Sequence, residues 1–288
     1  MKQQLKLSKT KYFHLLFFIF AFFILYSRRT EVLLNPQFWG EDGAAWFANA
    51  YNFGVWKSLF LVQDGYFQTL SRIVAIVSLV FPIVLAPLIF NFSALIIQVL
   101  PASFFLSSRF DGLLPSFHSR FLIASFYLFL PNTAEIQGNI TNVQWFLALL
   151  AFMILIASRS DRKSWKIFDL FFLILAGLSG PFSIFLLPIA FLLWFNQKQK
   201  QHLQNLSIVF ATAMVQLFGI FFLDSGLRMT SIPEATIKLF FSIFGRQVAW
   251  GSLIGINGYI WVLNNISWYF VFLVPQLFWP CFLLFMPH

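Results

Sequence analysis

Two adjacent carboxylates are the first residues of this chain whose types and spacing suggest chemistry. Gly40-Glu41-Asp42-Gly43 sets an acidic pair between two glycines, which is typical of a tight turn that presents its side chains. A carboxylate there can act as a general base or bind a divalent cation. A solvated loop turn with no catalytic role is the competing interpretation. On the first interpretation, Asp42 and Glu41 are the candidate catalytic residues.

A second polar stretch, residues 131–145, has the sequence PNTAEIQGNITNVQW and lies between two apolar runs. It holds one acid, Glu135, and several amides, among them Asn139 and Asn142. These groups suit hydrogen bonding to sugar hydroxyls or to phosphate. A loop that caps the next helix would use the same residue types. The stretch therefore supplies three candidate substrate-binding residues, with helix capping as the alternative.

Cationic and aromatic side chains stand at two further places. Tyr66 and Arg72 lie in a segment of mixed polarity after the acidic pair, and Arg246 follows a later apolar stretch. Beside a membrane, an arginine can pair with the phosphate of a lipid carrier. Interfacial anchoring, in which the charged head snorkels to the lipid headgroups, is the competing interpretation for both arginines. On the first interpretation, all three residues bind substrate.

The chain around these residues is too apolar for a soluble domain. It is 59% hydrophobic and 10% charged, with a mean hydropathy of +0.79, whereas soluble domains carry roughly 25% charged residues. We therefore expect one all-α transmembrane domain over residues 1–288, a polytopic bundle of about eight spans. The predicted spans are residues 13–26, 88–106, 121–131, 143–157, 167–178, 182–195, 206–223 and 267–286.

Lysine and arginine predict how this bundle is oriented. Four short segments (residues 1–12, 107–120, 158–166 and 196–205) hold 12 of the 19 basic side chains. By the positive-inside rule these segments, including the N-terminus, are cytoplasmic. The rule is satisfied if residues 67–82 form a helix on the outer membrane surface instead of a span. The first outer loop, with juxtamembrane helices, is then residues 27–87, and the last is residues 224–266.

Charge and cysteine content narrow the class of function. The net charge of +9 is accounted for by the cytoplasmic loops, so no nucleic-acid partner is expected. The single cysteine, Cys281, excludes an internal disulfide and a cysteine metal site. The predicted spans contain essentially no buried charge, whereas ion-coupled transporters place ionisable residues at mid-membrane. Seven of the ten acids fall on the outer side. Chemistry or binding at the outer surface is therefore favoured over transport.

The order of these features resembles the GT-C superfamily of glycosyltransferases, polytopic enzymes that use polyprenyl-phosphate sugars. Their plan has a cytoplasmic N-terminus, a first span and a long outer loop with an acidic pair near its start. Here Glu41-Asp42 stands at that position, Glu135 stands in the second polar outer loop, and residues 176–181 (AGLSGP) resemble the short turn after the fifth span. The likeness covers residues 10–200. The ED pair and the chain length depart from the common pattern and indicate a short or truncated member.

The resemblance implies an inverting sugar transfer from a polyprenyl-phosphate donor to a glycan, lipid or protein acceptor, at the outer face of a bacterial plasma membrane. It makes Asp42, ahead of Glu41, the general base. Arg72 or Arg246 would neutralise the leaving phosphate. Glu135 would orient the acceptor or, with Asp42, hold a divalent cation if the reaction uses one.

Three alternatives remain open at the level of sequence. A lipid-linked-sugar flippase or transporter would need a polar path through the spans, of which Asn91, Gln98 and Ser103 on one helix are the hint. Another membrane transferase, or a polymerase of surface polysaccharide, would share the outer acids. A non-catalytic membrane protein would need none of them.

Overall fold

The computed structural model describes residues 2–131, 133 and 135–223, together with single positions at 236, 243, 244, 255 and 260, and it describes side-chain surroundings from residue 12 onward. Within these residues the chain is all-α and forms no β-strand beyond two isolated bridges. The all-α class is therefore confirmed. The predicted span 267–286 and nearly all of the predicted loop 224–266 lie outside the described residues.

The chain divides into two compact units. The first comprises Met1–Leu128 and Ile136–Arg228, and the second comprises Phe129–Glu135 and Met229–His288. Every contact described below lies within the first unit.

Ten α-helices follow one another in the described part of the chain. Their bounds are α1 Lys2–Arg28, α2 Glu31–Leu34, α3 Ala48–Leu59, α4 Thr69–Ser78, α5 Ala86–Phe105, α6 Phe117–Phe129, α7 Val143–Ile156, α8 Lys163–Gly177, α9 Phe182–Gln197 and α10 Lys200–Phe218. A π-helical segment, Asp42–Phe47, leads into α3, and another, Gly219–Leu223, continues α10. The short turn expected at residues 176–181 is present between α8 and α9.

Two of these helices are long and apolar enough to cross a membrane. They are Ile83–Phe105, which is α5 with its preceding 3-10 turn, and Lys200–Leu223, which is α10 with its π-helical extension. A crossing helix needs about 20 apolar residues. Helices also form at the other predicted spans in the described residues, but their apolar portions are shorter. The predicted span 121–131 begins earlier, at Phe117. The number of spans stays a prediction.

Helix α4 forms within residues 67–82, where a helix on the outer membrane surface is expected. It has ten residues, so it is about 15 Å long and too short to cross a bilayer. Ser71, Arg72 and Ala75 are buried, whereas the apolar side chains of Ile73 and Val77 are exposed. The helix therefore packs one face into the protein, and its place on a membrane surface stays a prediction.

A short antiparallel contact fixes where α4 begins. The backbone N–H of Thr69 donates to the carbonyl of Leu178 (3.0 Å), and the N–H of Gly180 donates to the carbonyl of Phe67 (3.0 Å). The Gln216 side chain on α10 bonds both the N–H (2.9 Å) and the carbonyl (3.2 Å) of Phe67. The first outer loop is thus fastened to the α8–α9 turn and to α10, and this positions the first turn of α4.

Two ion pairs, one buried and one with an exposed acid, join the connections at the predicted cytoplasmic end of the bundle. Arg109, just after α5, pairs with Asp169 on α8, and Arg120 on α6 pairs with Asp111. Arg109 and Asp169 are both buried. Asp169 lies inside the predicted span 167–178, so the expectation that the spans hold no buried charge is wrong there. A mainly apolar helix can bury one acid when a basic side chain from another segment forms an ion pair with it and offsets its desolvation.

Candidate functional site

Asp42, in the predicted first outer loop, is 0% exposed. Its Oδ1 accepts hydrogen bonds from the backbone N–H (2.9 Å) and the hydroxyl (2.7 Å) of Thr141, and its Oδ2 accepts one from the N–H of Ile140 (3.2 Å). The carboxyl therefore joins the first outer loop to the polar stretch that precedes α7. The structure brings together two of the polar segments that the sequence singled out.

The surroundings of Asp42 change its acidity. Burial raises the pKa of its carboxyl to about 6, and the hydrogen bonds from Thr141 and Ile140 act against that rise. Desolvation has this effect because it penalises the charged form of an acid. At neutral pH the group is still mostly ionised, yet it is a stronger proton acceptor than an ordinary aspartate. Such a pKa suits a general base.

A chain of contacts leads from Asp42 to a buried arginine. The Thr141 hydroxyl, which donates to Asp42, accepts a hydrogen bond from the indole N–H of Trp46 (3.0 Å). The guanidinium carbon of Arg72 lies 4.7 Å from the centroid of the Trp46 ring, a cation–π contact. Trp46 is 0% exposed and Arg72 is 1% exposed. A carboxylate and a cation are thus held in one buried cluster.

The guanidinium of Arg72 is buried without hydrogen bonds. Its Nε, Nη1 and Nη2 have no hydrogen-bond partner in the described part of the chain. Burial lowers its pKa to about 10, so it remains a cation at neutral pH. Buried charges are ordinarily paired, because desolvating a charge is costly. The side chain packs over Trp46 inside the protein, so lipid-headgroup contact, the competing interpretation for Arg72, does not describe it.

The acidic pair is split between the interior and the surface. Glu41 is exposed, whereas Asp42 is buried. Both residues have helical backbone angles or begin a helical segment, and successive residues of a helix point about 100° apart. The two carboxylates therefore point in different directions, and only that of Asp42 joins the buried cluster.

The amides of the second polar stretch serve the loop itself. Asn139 is buried, and its Oδ1 accepts a hydrogen bond from the backbone N–H of Asn142 (3.0 Å). This bond closes a turn in the loop just before α7, whose N-cap is Asn142. Both residues lie in the segment that bonds Asp42, so a role in binding substrate stays a prediction.

Tyr66 ends a tight turn in the first outer loop. Asp64 and Gly65 both have positive φ, 55° and 85°, as a two-residue hairpin turn of type I′ requires. The backbone N–H of Tyr66 donates to the carbonyl of Gln63 (3.3 Å). Tyr66 is half-buried, and its role in binding substrate stays a prediction.

Two predicted residues do not belong to the first unit. Glu135 is exposed and belongs to the second unit. Arg246 lies outside the described residues. Their predicted roles in orienting the acceptor and in neutralising phosphate therefore stay predictions.

Neither a cluster of metal ligands nor a polar cavity accompanies Asp42 in the described residues. Within the residues described, no three His, Cys, Asp or Glu side chains are grouped so that they could hold a metal ion. An open groove of about 560 Å³ lies between α9 and α10 and is lined mainly by apolar side chains, among them Leu187, Phe191 and Phe210. This lining suits hydrocarbon better than a charged substrate. Neither Asp42 nor Arg72 contributes to it.

Sequence reasoning missed three residues of the cluster: Trp46, Thr141 and Gln144. Thr141 stands in the polar stretch, where a hydroxyl side chain among the amides could have indicated it. Gln144 stands in the same stretch, at the start of α7. Trp46 carried no distinguishing signal, since it is one of ten tryptophans in an aromatic-rich chain.

Comparison with known proteins finds no relative. No known family matches the sequence, no curated protein is significantly similar to it, and no solved structure has a significantly similar fold. What the site can do must therefore follow from its own residues.

Proposed function

We propose that this chain is a multi-pass membrane glycosyltransferase. It moves a sugar from a polyprenyl-phosphate donor to an acceptor on the outer face, with Asp42 as general base. One juxtaposition carries the proposal. A buried carboxyl whose pKa is about 6 shares a cluster with the cation of Arg72, which has no hydrogen-bond partner among the described residues. Transfer from a phosphate needs a base for the attacking hydroxyl and a cation for the leaving group.

The proposed reaction balances with these two side chains. The acceptor oxygen attacks the anomeric carbon with inversion, and its proton passes to Asp42. The bond from that carbon to the phosphate oxygen breaks, its electron pair leaves with the lipid phosphate, and Arg72 stabilises the resulting charge. We assign the proton to Oδ2 because this oxygen accepts a single 3.2 Å bond from Ile140, whereas Oδ1 accepts two shorter bonds from Thr141.

The acceptor must reach a buried carboxyl for this reaction to occur. The turn just before Asp42 is the accessible route, since Gly40 and Glu41 are both exposed. A side chain added at Gly40 would meet no atom within 4 Å. We therefore propose that the acceptor enters over this turn.

The proposal includes about eight spans, a cytoplasmic N-terminus and a site on the outer face. Two helices long and apolar enough to cross a membrane support it. So does an apolar stripe on α1, where Leu16, Phe20 and Phe23 are 64%, 56% and 58% exposed. Soluble proteins rarely leave a large contiguous apolar surface open. Lipid contact accounts for such a stripe.

The flippase alternative receives less support from the same helix bundle. Asn91 and Gln98 were its polar path on α5. The Asn91 amide donates to the carbonyl of Val32 (2.8 Å), and the Gln98 amide donates to the carbonyl of Ile136 (2.7 Å). Both side chains fasten loops to α5, a use that favours a fixed outer site over a path for a sugar.

Sugar transfer by membranes that contain Asp42→Asn tests the proposal. Radiolabelled polyprenyl-phosphate sugars are added, and label in the product is counted. We expect the variant to lose about 10²- to 10⁴-fold in rate, the usual contribution of a general base. Asp161→Asn is the matched control, because Asp161 is exposed in a surface ion pair, and it should transfer normally. Undiminished transfer by a folded Asp42→Asn protein, or none by the wild type, would overturn the proposal.

A further inference from the structure

Unsatisfied buried polar atoms are rare in folded proteins, so each one requires an explanation. In the described part of the chain, Arg109 and Arg120 each keep one unbonded nitrogen but form ion pairs, and Asn91 and Gln98 keep an unbonded oxygen but donate through nitrogen. Arg72 differs from all four because none of its nitrogens is bonded. All three donor nitrogens of Arg72 are therefore available for hydrogen bonds inside the cluster.

The same cluster contains an unbonded acceptor. Gln144, in the first turn of α7, is 8% exposed. Its Nε2 donates to the carbonyl of Thr141 (3.5 Å), whereas its Oε1 has no hydrogen-bond partner among the described residues. Thr141 also bonds Asp42 and Trp46. Gln144 therefore bonds the residue that holds the proposed base, and Arg72 is linked to that residue through the Trp46 ring.

A glycine lets the backbone pass very close to that acceptor. Gly180 has a φ of +130°, and a Cβ added there would lie 2.5 Å from Gln144 Oε1. A side chain at this position would be strained and would also collide with the oxygen. The α8–α9 turn thus approaches Gln144 closely without offering it a hydrogen-bond donor.

We propose that Arg72 and Gln144 form a two-point site for the donor, in which Arg72 binds the phosphate and Gln144 Oε1 accepts a hydrogen bond from a sugar hydroxyl. Phosphate oxygens accept hydrogen bonds, as the three donor nitrogens of Arg72 require. A sugar hydroxyl donates a hydrogen bond, as Gln144 Oε1 requires. A glycosyl phosphate carries both groups, so it would satisfy the unbonded atoms of Arg72 and of Gln144. The inference rests on the proposed function and adds that Gln144 selects for the sugar.

The affinities of a lipid phosphate with and without its sugar distinguish the contact of Arg72 from that of Gln144. The purified protein in lipid nanodiscs is titrated with labelled undecaprenyl phosphate and with undecaprenyl-phosphate glucose. We expect Gln144→Met to weaken binding of the sugar lipid about tenfold, the effect of leaving one buried partner unsatisfied. Binding of the sugar-free lipid should not change. Arg72→Gln should weaken binding of both lipids.

Gln98→Met is the matched control, because Gln98 is also a buried glutamine with an unbonded Oε1. It should bind both lipids like the wild type, and thermal unfolding checks that each variant is folded. Equal weakening of both lipids by Gln144→Met, or no weakening of either, would overturn the role of Gln144. Equal affinity of the wild type for both lipids would also overturn it. Each of these results leaves the proposed transferase standing, whereas no binding of either lipid by the wild type would count against both.

Discussion

The two ends of the described bundle bury charge in different ways. At the predicted cytoplasmic end, Arg109 pairs with Asp169 and Arg120 pairs with Asp111. At the predicted outer end, Asp42 and Arg72 are equally buried, yet neither forms an ion pair with any residue described.

The comparison separates a structural use of charge from a functional one. A buried ion pair compensates its own desolvation and fixes how segments meet. A buried cation without hydrogen bonds, linked through an aromatic ring to a carboxyl with a raised pKa, lowers stability and is retained where a ligand completes it. The outer end therefore has the electrostatics of a binding site, and the inner end has those of a joint between helices.

Breaking the inner pair should give the largest change in stability. Arg109→Met leaves Asp169 buried without its partner, so we expect the free energy of unfolding to fall by about 3–5 kcal/mol. Denaturant unfolding in detergent measures it. The double variant Arg109→Met/Asp169→Leu should recover most of the loss, because it removes both charges. A similar loss in the double variant would mean that the pair is not the cause.

The pH dependence of stability should single out Asp42. Its pKa is about 6 in the folded chain and 3.8 in the absence of structure, so the folded state binds the proton more tightly. Its contribution to stability is fully present below pH 3.8 and is lost as pH rises through about 6, by about 3 kcal/mol. Unfolding between pH 4 and 7 should show this decline in the wild type and not in Asp42→Asn. Parallel curves for the two proteins would rule out a raised pKa at Asp42.

Removing the outer cation should have the smallest effect and the opposite sign to the inner variant. Arg72→Met deletes a buried charge that has no hydrogen bond in the described structure, and it also deletes a cation–π contact. We expect the free energy of unfolding to rise by about 1 kcal/mol, since the desolvation cost exceeds the contact. The same substitution at Arg109 is the control. If both variants destabilise the chain alike, the distinction between the two ends fails.

Much of the fold could be predicted from the sequence. Hydropathy alone located the helices that became α5, α7, α9 and α10, and the family resemblance located the turn between α8 and α9. Local pattern suffices for these helices, because each helix bonds its own backbone and the apolar runs are long. The pattern of residues 67–82 predicted a helix, but it could not show that one face of α4 is buried in the protein, because the same amphipathic pattern fits a membrane surface and a partly buried face.

Less of the site could be predicted. The acidic pair and the polar stretch were both singled out, but their pairing through Thr141 was not. The sequence could not show that Glu41 faces outward while Asp42 faces inward, since that depends on where one helical turn begins. Nor could it show that Asp169 meets Arg109, because sixty residues separate the two partners.

The amino-acid sequence by itself determined the apolar all-α character of this protein, the positions of most described helices and the sorting of basic and acidic side chains. These properties follow from composition and short-range pattern. Only the tertiary structure decided which charges are paired. It buried Asp42 against Thr141, turned Arg72 inward over Trp46 and left Gly180 beside Gln144. Desolvation and hydrogen bonding depend on neighbours that folding brings together from distant segments. The acidity and the pairing of a charged side chain are therefore decided by tertiary packing.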